Sequence, residues 1–224
     1  MSGLSAYTRF SLAASCLSSL AYLVGEQTTA VVPGSALAIV LKTLPVGLLV
    51  LAALTTRLRG SGMQALVLAL CATGDMLLEV NGGFQWGAAS FALGHLVATI
   101  WLLRYRATIT APRGLAAAAL MQIALLAPIV FKQPRVPEAF AMIYGLSIAL
   151  MTGALIVSRF PRRAAWGAIV FMVSDLLIVI NLTAPVFGPQ LDGILIWTGY
   201  YVAQCMIFAG INAGLRAEPQ ARRR

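Results

Sequence analysis

At 224 residues, with 60% hydrophobic and 10% charged side chains and a mean hydropathy of +0.87, the chain has too few polar groups to cover a water-soluble domain. A net charge of +9 would point to nucleic acid in a soluble protein, but here the basic residues stand between apolar runs and report orientation in a membrane, so no nucleic-acid partner is expected. Cys16, Cys71 and Cys205 are scattered through apolar runs without CxxC spacing, which indicates neither a disulfide framework nor a thiolate metal site.

Apolar runs of roughly 18–24 residues match a hydrocarbon layer of about 30 Å. They fall at 7–24, 32–54, 63–80, 84–103, 115–131, 138–157, 164–183 and 191–215. The expected fold class is therefore all-α, a polytopic membrane protein of about eight transmembrane helices. Residues 1–215 form a single integral domain in this reading, and 216–224 a basic cytoplasmic tail. The first run follows Arg9 but lacks an Ala-x-Ala cleavage site, so it is expected to be a retained helix. The third and fourth runs meet at a tight Asn81-Gly82-Gly83 turn.

With eight spans, Arg9, Arg57, Arg59, Arg104, Arg106, Arg113, Arg159, Arg162, Arg163, Arg216 and Arg222 to Arg224 share one side. Only Lys132 and Arg135 lie on the other. Both termini are thus expected in the cytoplasm, with the protein in the cell membrane and the Arg222–Arg224 tail against anionic headgroups.

A weak repeat links the third and seventh runs. Gly74-Asp75-Met76-Leu77-Leu78 precedes Asn81, and Ser174-Asp175-Leu176-Leu177-Ile178 precedes Asn181, so two four-helix halves are suggested. Ionisable groups at membrane depth cost on the order of 2.5–3.5 kcal/mol each on insertion scales, so they mark function. At ~1.5 Å per helical residue, Asp75, Asp175, Lys42, His95, Tyr200, Tyr201 and Gln204 fall in one layer, roughly 9–16 Å below the non-cytoplasmic surface. A layer that narrow implies a shared cavity. Lys42 is expected to pair with an aspartate, with direct ligand contact or snorkelling as alternatives, and Pro45 after it to kink the helix. Glu79, one turn beyond Asp75, lies nearer the helix end and is either interfacial or supporting. Asp192 reads as a cap, and Gly83-xxx-Gly87 and Gly210-xxx-Gly214 as packing faces.

One histidine cannot build a three-His zinc centre, and no G-x-S-x-G elbow is present. Neither a metal nor a cofactor is expected. Two carboxylates remain, and such a pair divides acid and base work when its members' environments differ. A proton-coupled carrier of small molecules or lipids would use the same buried residues.

Lys42-Thr43-Leu44-Pro45, Gly74-Asp75-Met76-Leu77-Leu78, Phe91-Ala92-Leu93-Gly94-His95, Ser174-Asp175-Leu176-Leu177 and Tyr200-Tyr201-Val202-Ala203-Gln204 follow one another on successive runs. In this order they resemble the YhhN/TMEM86 family of multi-pass membrane proteins, whose characterised members are lysoplasmalogenases. The resemblance implies hydrolysis of the vinyl-ether bond of a lysoplasmalogen to a fatty aldehyde and a glycerophospho-alcohol. The partner it implies is a lysophospholipid or other single-chain ether lipid. Asp75 and Asp175 would then be the catalytic pair. His95, Tyr200, Tyr201 and Gln204 would orient water or the glycerol and phosphate groups, with Lys42 and Glu79 in support.

Overall fold

The computed structural model describes residues 5–131, 137–182 and 185–221. Among these are eight α-helices and no strand: α1 Ala6–Gln27, α2 Ala36–Thr55, α3 Ser61–Glu79, α4 Phe84–Leu102, α5 Ala111–Val130, α6 Glu138–Ile156, α7 Arg162–Asn181 and α8 Pro189–Ala221. Each expected run is a helix. Lys132, Arg135, Thr183 and the Arg222–Arg224 tail lie outside the described residues.

Among the described residues six helical segments are long and apolar enough to cross a membrane: α2, α3, α4 with its following turn to Tyr105, α6, α7 and α8 up to Ala217. Helix α5, Ala111–Val130, has 20 residues, and its stretch Ala111–Ala127 is apolar. Helix α1 has the length, at 22 residues, but its apolar content is diluted by Ser11, Ser15, Ser18 and Ser19.

Those serines explain how α1 packs. Thr8, Ser11, Ser15, Ser18, Tyr22 and Gly25 recur at alternating three- and four-residue steps, so they share one stripe, and all are buried. Tyr7, Phe10, Leu17, Leu20 and Val24 point the other way and are exposed. The polarity is the reverse of a water-soluble helix, as suits a helix whose outer face meets hydrocarbon. Small inward residues let α1 approach α2 closely. The Ser15 hydroxyl donates to the Pro45 carbonyl at 2.7 Å, and Thr8 and Thr55 hydroxyls meet at 2.9 Å. Helix α2 continues through Pro45.

The chain divides into two compact units, one running to Gly94 and resuming at Leu215, the other His95–Gly214. In the first, α2 packs on α1 and on α3. Helices α3 and α4 close at the expected turn, where Gly82 has a φ of +74° and the Gly83 N–H donates to the Val80 carbonyl at 2.8 Å. Phe91 of α4 covers Gly74 of α3, and the Ser90 hydroxyl donates to the Leu70 carbonyl at 2.7 Å.

In the second unit α6 packs on α5 and α7, and α5 also touches α7. Helix α8 runs antiparallel to α7. Gly210 lies against Ala164, Gly214 against Phe160, and the Ser174 hydroxyl donates to the Ile196 carbonyl at 2.8 Å. The Gly210-xxx-Gly214 face is a packing face as expected. Asp192 lies in the first turn of α8, and its carboxylate accepts from the Val186 and Phe187 N–H groups at 2.8 and 3.2 Å. It therefore ties down the approach to the helix in place of capping its first residue.

Candidate functional site

The residues singled out at membrane depth gather in two groups, one in each unit. The first surrounds Glu79. Its Oε1 accepts from the Lys42 ammonium at 2.7 Å and from the Tyr22 phenol at 3.1 Å, while Oε2 accepts from the Gly34 N–H at 3.3 Å. Gly34, at a φ of +78°, presents that N–H from the α1–α2 connection. The Lys42 ammonium also lies 5.8 Å from the Tyr22 ring centre.

The expectation that Lys42 pairs with an aspartate is corrected here, because its ion-pair partner is Glu79. The reason is geometric. Glu79 lies one turn beyond Asp75 on the same face of α3, with a carboxylate one methylene longer, and the lysine stem reaches it from α2. The side chains of Lys42 and Glu79 are 19% and 9% exposed, so each is largely desolvated and depends on the other. Asp75 itself is 2% exposed.

Removing one member of such a pair leaves a charge in a poor solvent, whereas removing both removes the penalty as well. Lys42→Met should therefore lower stability by about 2 kcal/mol, allowing for the partial exposure, and Lys42→Met/Glu79→Gln by about half of that. Thermal denaturation of both variants in detergent measures the difference. Equal losses would mean that the pair contributes through packing alone.

The second group surrounds Asp175, in the middle of α7 and 8% exposed. The Tyr144 phenol of α6 donates to its Oδ2 at 2.5 Å. Three residues further along α6, on the same face, the Ser147 hydroxyl donates to the Tyr144 carbonyl at 2.7 Å and lies 3.3 Å from His95 Nδ1. His95 is fully buried, and its ring meets Tyr144 and Phe171 edge-on at 5.8 and 5.3 Å. Phe171 in turn meets Tyr200 at 5.3 Å, Tyr200 leans on Trp197 at 5.8 Å, and the Gln204 amide donates to the Tyr200 hydroxyl at 3.3 Å. Tyr201 is buried beside them in sequence.

This second group is a carboxyl held by a phenol at the edge of an aromatic wall. His95 is enclosed on all sides, with Ser147 and the Tyr144 ring among its contacts. Chemically, the arrangement gives one carboxyl oxygen a fixed donor and sets the direction of the other. Among the described residues no three His, Cys, Asp or Glu side chains come together as a metal site requires.

Tyr22, Tyr144 and Ser147 escaped the sequence reading. For α6 a signal exists: Tyr144 and Ser147, three apart in an otherwise apolar run, define one polar face. Tyr22 gives no such signal, because it sits among the small polar residues of α1.

The model of the YhhN family matches residues 37–211, a stretch that includes both groups apart from Tyr22 and Gly34. Searches of curated proteins and of solved structures gave no match.

Proposed function

The chain belongs to the YhhN family, and we propose that it is a membrane hydrolase that opens the vinyl-ether bond of a lysoplasmalogen, releasing a fatty aldehyde and a glycerophospho-alcohol. The observation that supports this most is Asp175, a carboxyl in mid-helix whose Oδ2 is held by the Tyr144 phenol. A carboxyl kept at that depth, with one oxygen engaged and the other left to act, is the group such chemistry needs.

Asp75 and Asp175 are the two carboxyls assigned to catalysis, on the order of the family's motifs along the chain. The chemistry calls for an acid that donates its proton to the β-carbon of the vinyl ether. The π electrons form that C–H bond, and the ether oxygen shares the resulting cation as an oxocarbenium ion. A carboxylate then stabilises the cation and takes a proton from water as the water oxygen bonds to the α-carbon. The hemiacetal so formed collapses with its hydroxyl proton passing to the departing glycerol oxygen, leaving the aldehyde. Within the second unit Tyr200, Tyr201 and Gln204 orient water and His95 holds Tyr144 in place, while in the first unit Lys42 and Glu79 act in support. The protein lies in the cell membrane with both termini in the cytoplasm, residues 1–215 acting as one domain and 216–224 as a basic tail.

The deciding experiment is aldehyde release by the purified full chain in detergent, from a lysoplasmalogen and from the matching ester lysolipid. Wild type should release aldehyde from the vinyl ether only, and Asp75→Asn, once shown to be helical and monodisperse, should not. If wild type leaves every ether and ester lysolipid intact, the hydrolase reading falls and uptake by proteoliposomes tests a carrier.

A further inference from the structure

The second unit carries strong positive charge at one end. Arg104 and Arg106 follow α4, Arg159 follows α6, Arg162 and Arg163 open α7, and all five are exposed. Arg113 opens α5 nearby in sequence. The unit contains only three carboxylates in its sequence, Glu138, Asp175 and Asp192. Glu138 starts α6, whose far end leads to Arg159, and Asp192 starts α8, antiparallel to α7. Asp175 is thirteen residues along α7 from Arg162, or roughly 20 Å. No carboxylate of the unit lies at the arginine end.

Basic residues at a membrane boundary are common, but these stand on a fixed platform. The Ala107 N–H donates to the Val157 carbonyl and the Arg159 N–H to the Tyr105 carbonyl, each at 2.9 Å, so the two connections pair in antiparallel fashion around Arg106 and Ser158. Buried Ser158 donates to the Leu155 carbonyl at 2.8 Å and accepts from the Phe160 N–H at 3.2 Å. Tyr105 packs on Phe160 at 5.0 Å, and the Arg159 guanidinium lies 5.5 Å from the Tyr105 ring centre. Arg159, held this way, gives up little freedom when it binds, and the paired backbone fixes the position from which Arg106 extends. Helices α5 and α7 also begin here with no acidic residue and no side-chain cap in the first turn, so their dipoles add to the positive field. Exposed Leu103, Ile109, Leu115 and Trp166 flank the arginines, with Trp166 of the type that settles at headgroup level.

We propose that this platform is a binding site for the phosphodiester headgroup of an anionic phospholipid, with Arg106, Arg159, Arg162 and Arg163 as its charged contacts and the flanking apolar side chains against the acyl chains. The site is independent of the proposed hydrolysis. Charge complementarity selects an anionic over a zwitterionic headgroup, and the apolar rim selects a lipid over a free anion.

Native mass spectrometry of the detergent-purified full chain, titrated with phosphatidylglycerol, phosphatidylcholine or inorganic phosphate, tests it. Phosphatidylglycerol should bind at least about tenfold more tightly than phosphatidylcholine. Arg106→Gln/Arg159→Gln and, separately, Arg162→Gln/Arg163→Gln should each weaken it roughly thirtyfold. The second pair lies clear of the Tyr105 platform, so its loss is read without disturbing that packing. Arg57→Gln/Arg59→Gln in the first unit should bind as wild type does. Equal binding of the two lipids, equal loss in the Arg57/Arg59 control, full retention in Arg162→Gln/Arg163→Gln, or displacement by equimolar phosphate would each overturn the proposal.

Discussion

Asp175→Asn is expected to lower aldehyde release from a lysoplasmalogen by about 10²–10⁴-fold, the range that general acid–base groups contribute. The amide keeps the size of the side chain and can still accept from Tyr144, so the fold should persist while the proton chemistry is lost. Tyr144→Phe makes a useful companion. It leaves the ring edge against His95 but removes the phenol from Oδ2, and a loss of about tenfold in turnover is expected. A purely structural Tyr144 would lower thermal stability and leave the turnover of the remaining folded protein unchanged. Release within threefold of wild type by folded Asp175→Asn would remove Asp175 from the mechanism. The aldehyde assay and the unfolding midpoint, measured on the same preparations, separate these outcomes.

Gly83→Ala is expected to cost about 3 kcal/mol or more, a large effect for one methyl group. A Cβ there would lie 2.0 Å from the Leu77 carbonyl oxygen and 2.9 Å from that of Val80. Both are backbone atoms at the end of α3, so relief requires the whole turn to shift and pulls Phe91 away from Gly74. Its neighbour Gly82 provides the contrast. A Cβ at Gly82 meets nothing within 4 Å, but the φ of +74° is left-handed, so Gly82→Ala should cost only about 1–2 kcal/mol. Gly82→Asn should recover part of that, because asparagine tolerates this conformation, whereas Gly83→Asn should fail as Gly83→Ala does. Unfolding midpoints of the four variants in one detergent would show this order. If Gly82 and Gly83 respond alike, backbone conformation and not close approach governs the turn.

These two sites show what a membrane sequence reveals readily. The α3–α4 turn was legible in Asn81-Gly82-Gly83, and the ends of most helices fell within a few residues of the apolar runs, as with 138–157 against Glu138–Ile156. Apolar length is set by the bilayer, so it survives into the sequence plainly. Side-chain partners are harder. In lipid both faces of a helix carry apolar residues, so the pattern does not say which face turns inward, and each residue step rotates a side chain by about 100°. That is why Lys42 was matched to an aspartate when Glu79, one turn away, receives it. It is also why Tyr144 passed for one more aromatic in an apolar run. The serines of α1 illustrate the opposite difficulty. They lowered its apolar content although they are the packed face of the helix.

The inward stripe of α1 has a consequence for how the chain enters the bilayer. A helix that hides Ser11, Ser15, Ser18 and Ser19 against a neighbour would, if released alone, show those hydroxyls to lipid with only its own carbonyls to receive them. Ser15 finds its acceptor on α2, at the Pro45 carbonyl, about thirty residues later in the chain. The first helix is therefore expected to gain its full partition free energy once the second has emerged from the ribosome. The two are expected to leave the translocon as a pair, a helical hairpin whose seam closes before it meets lipid.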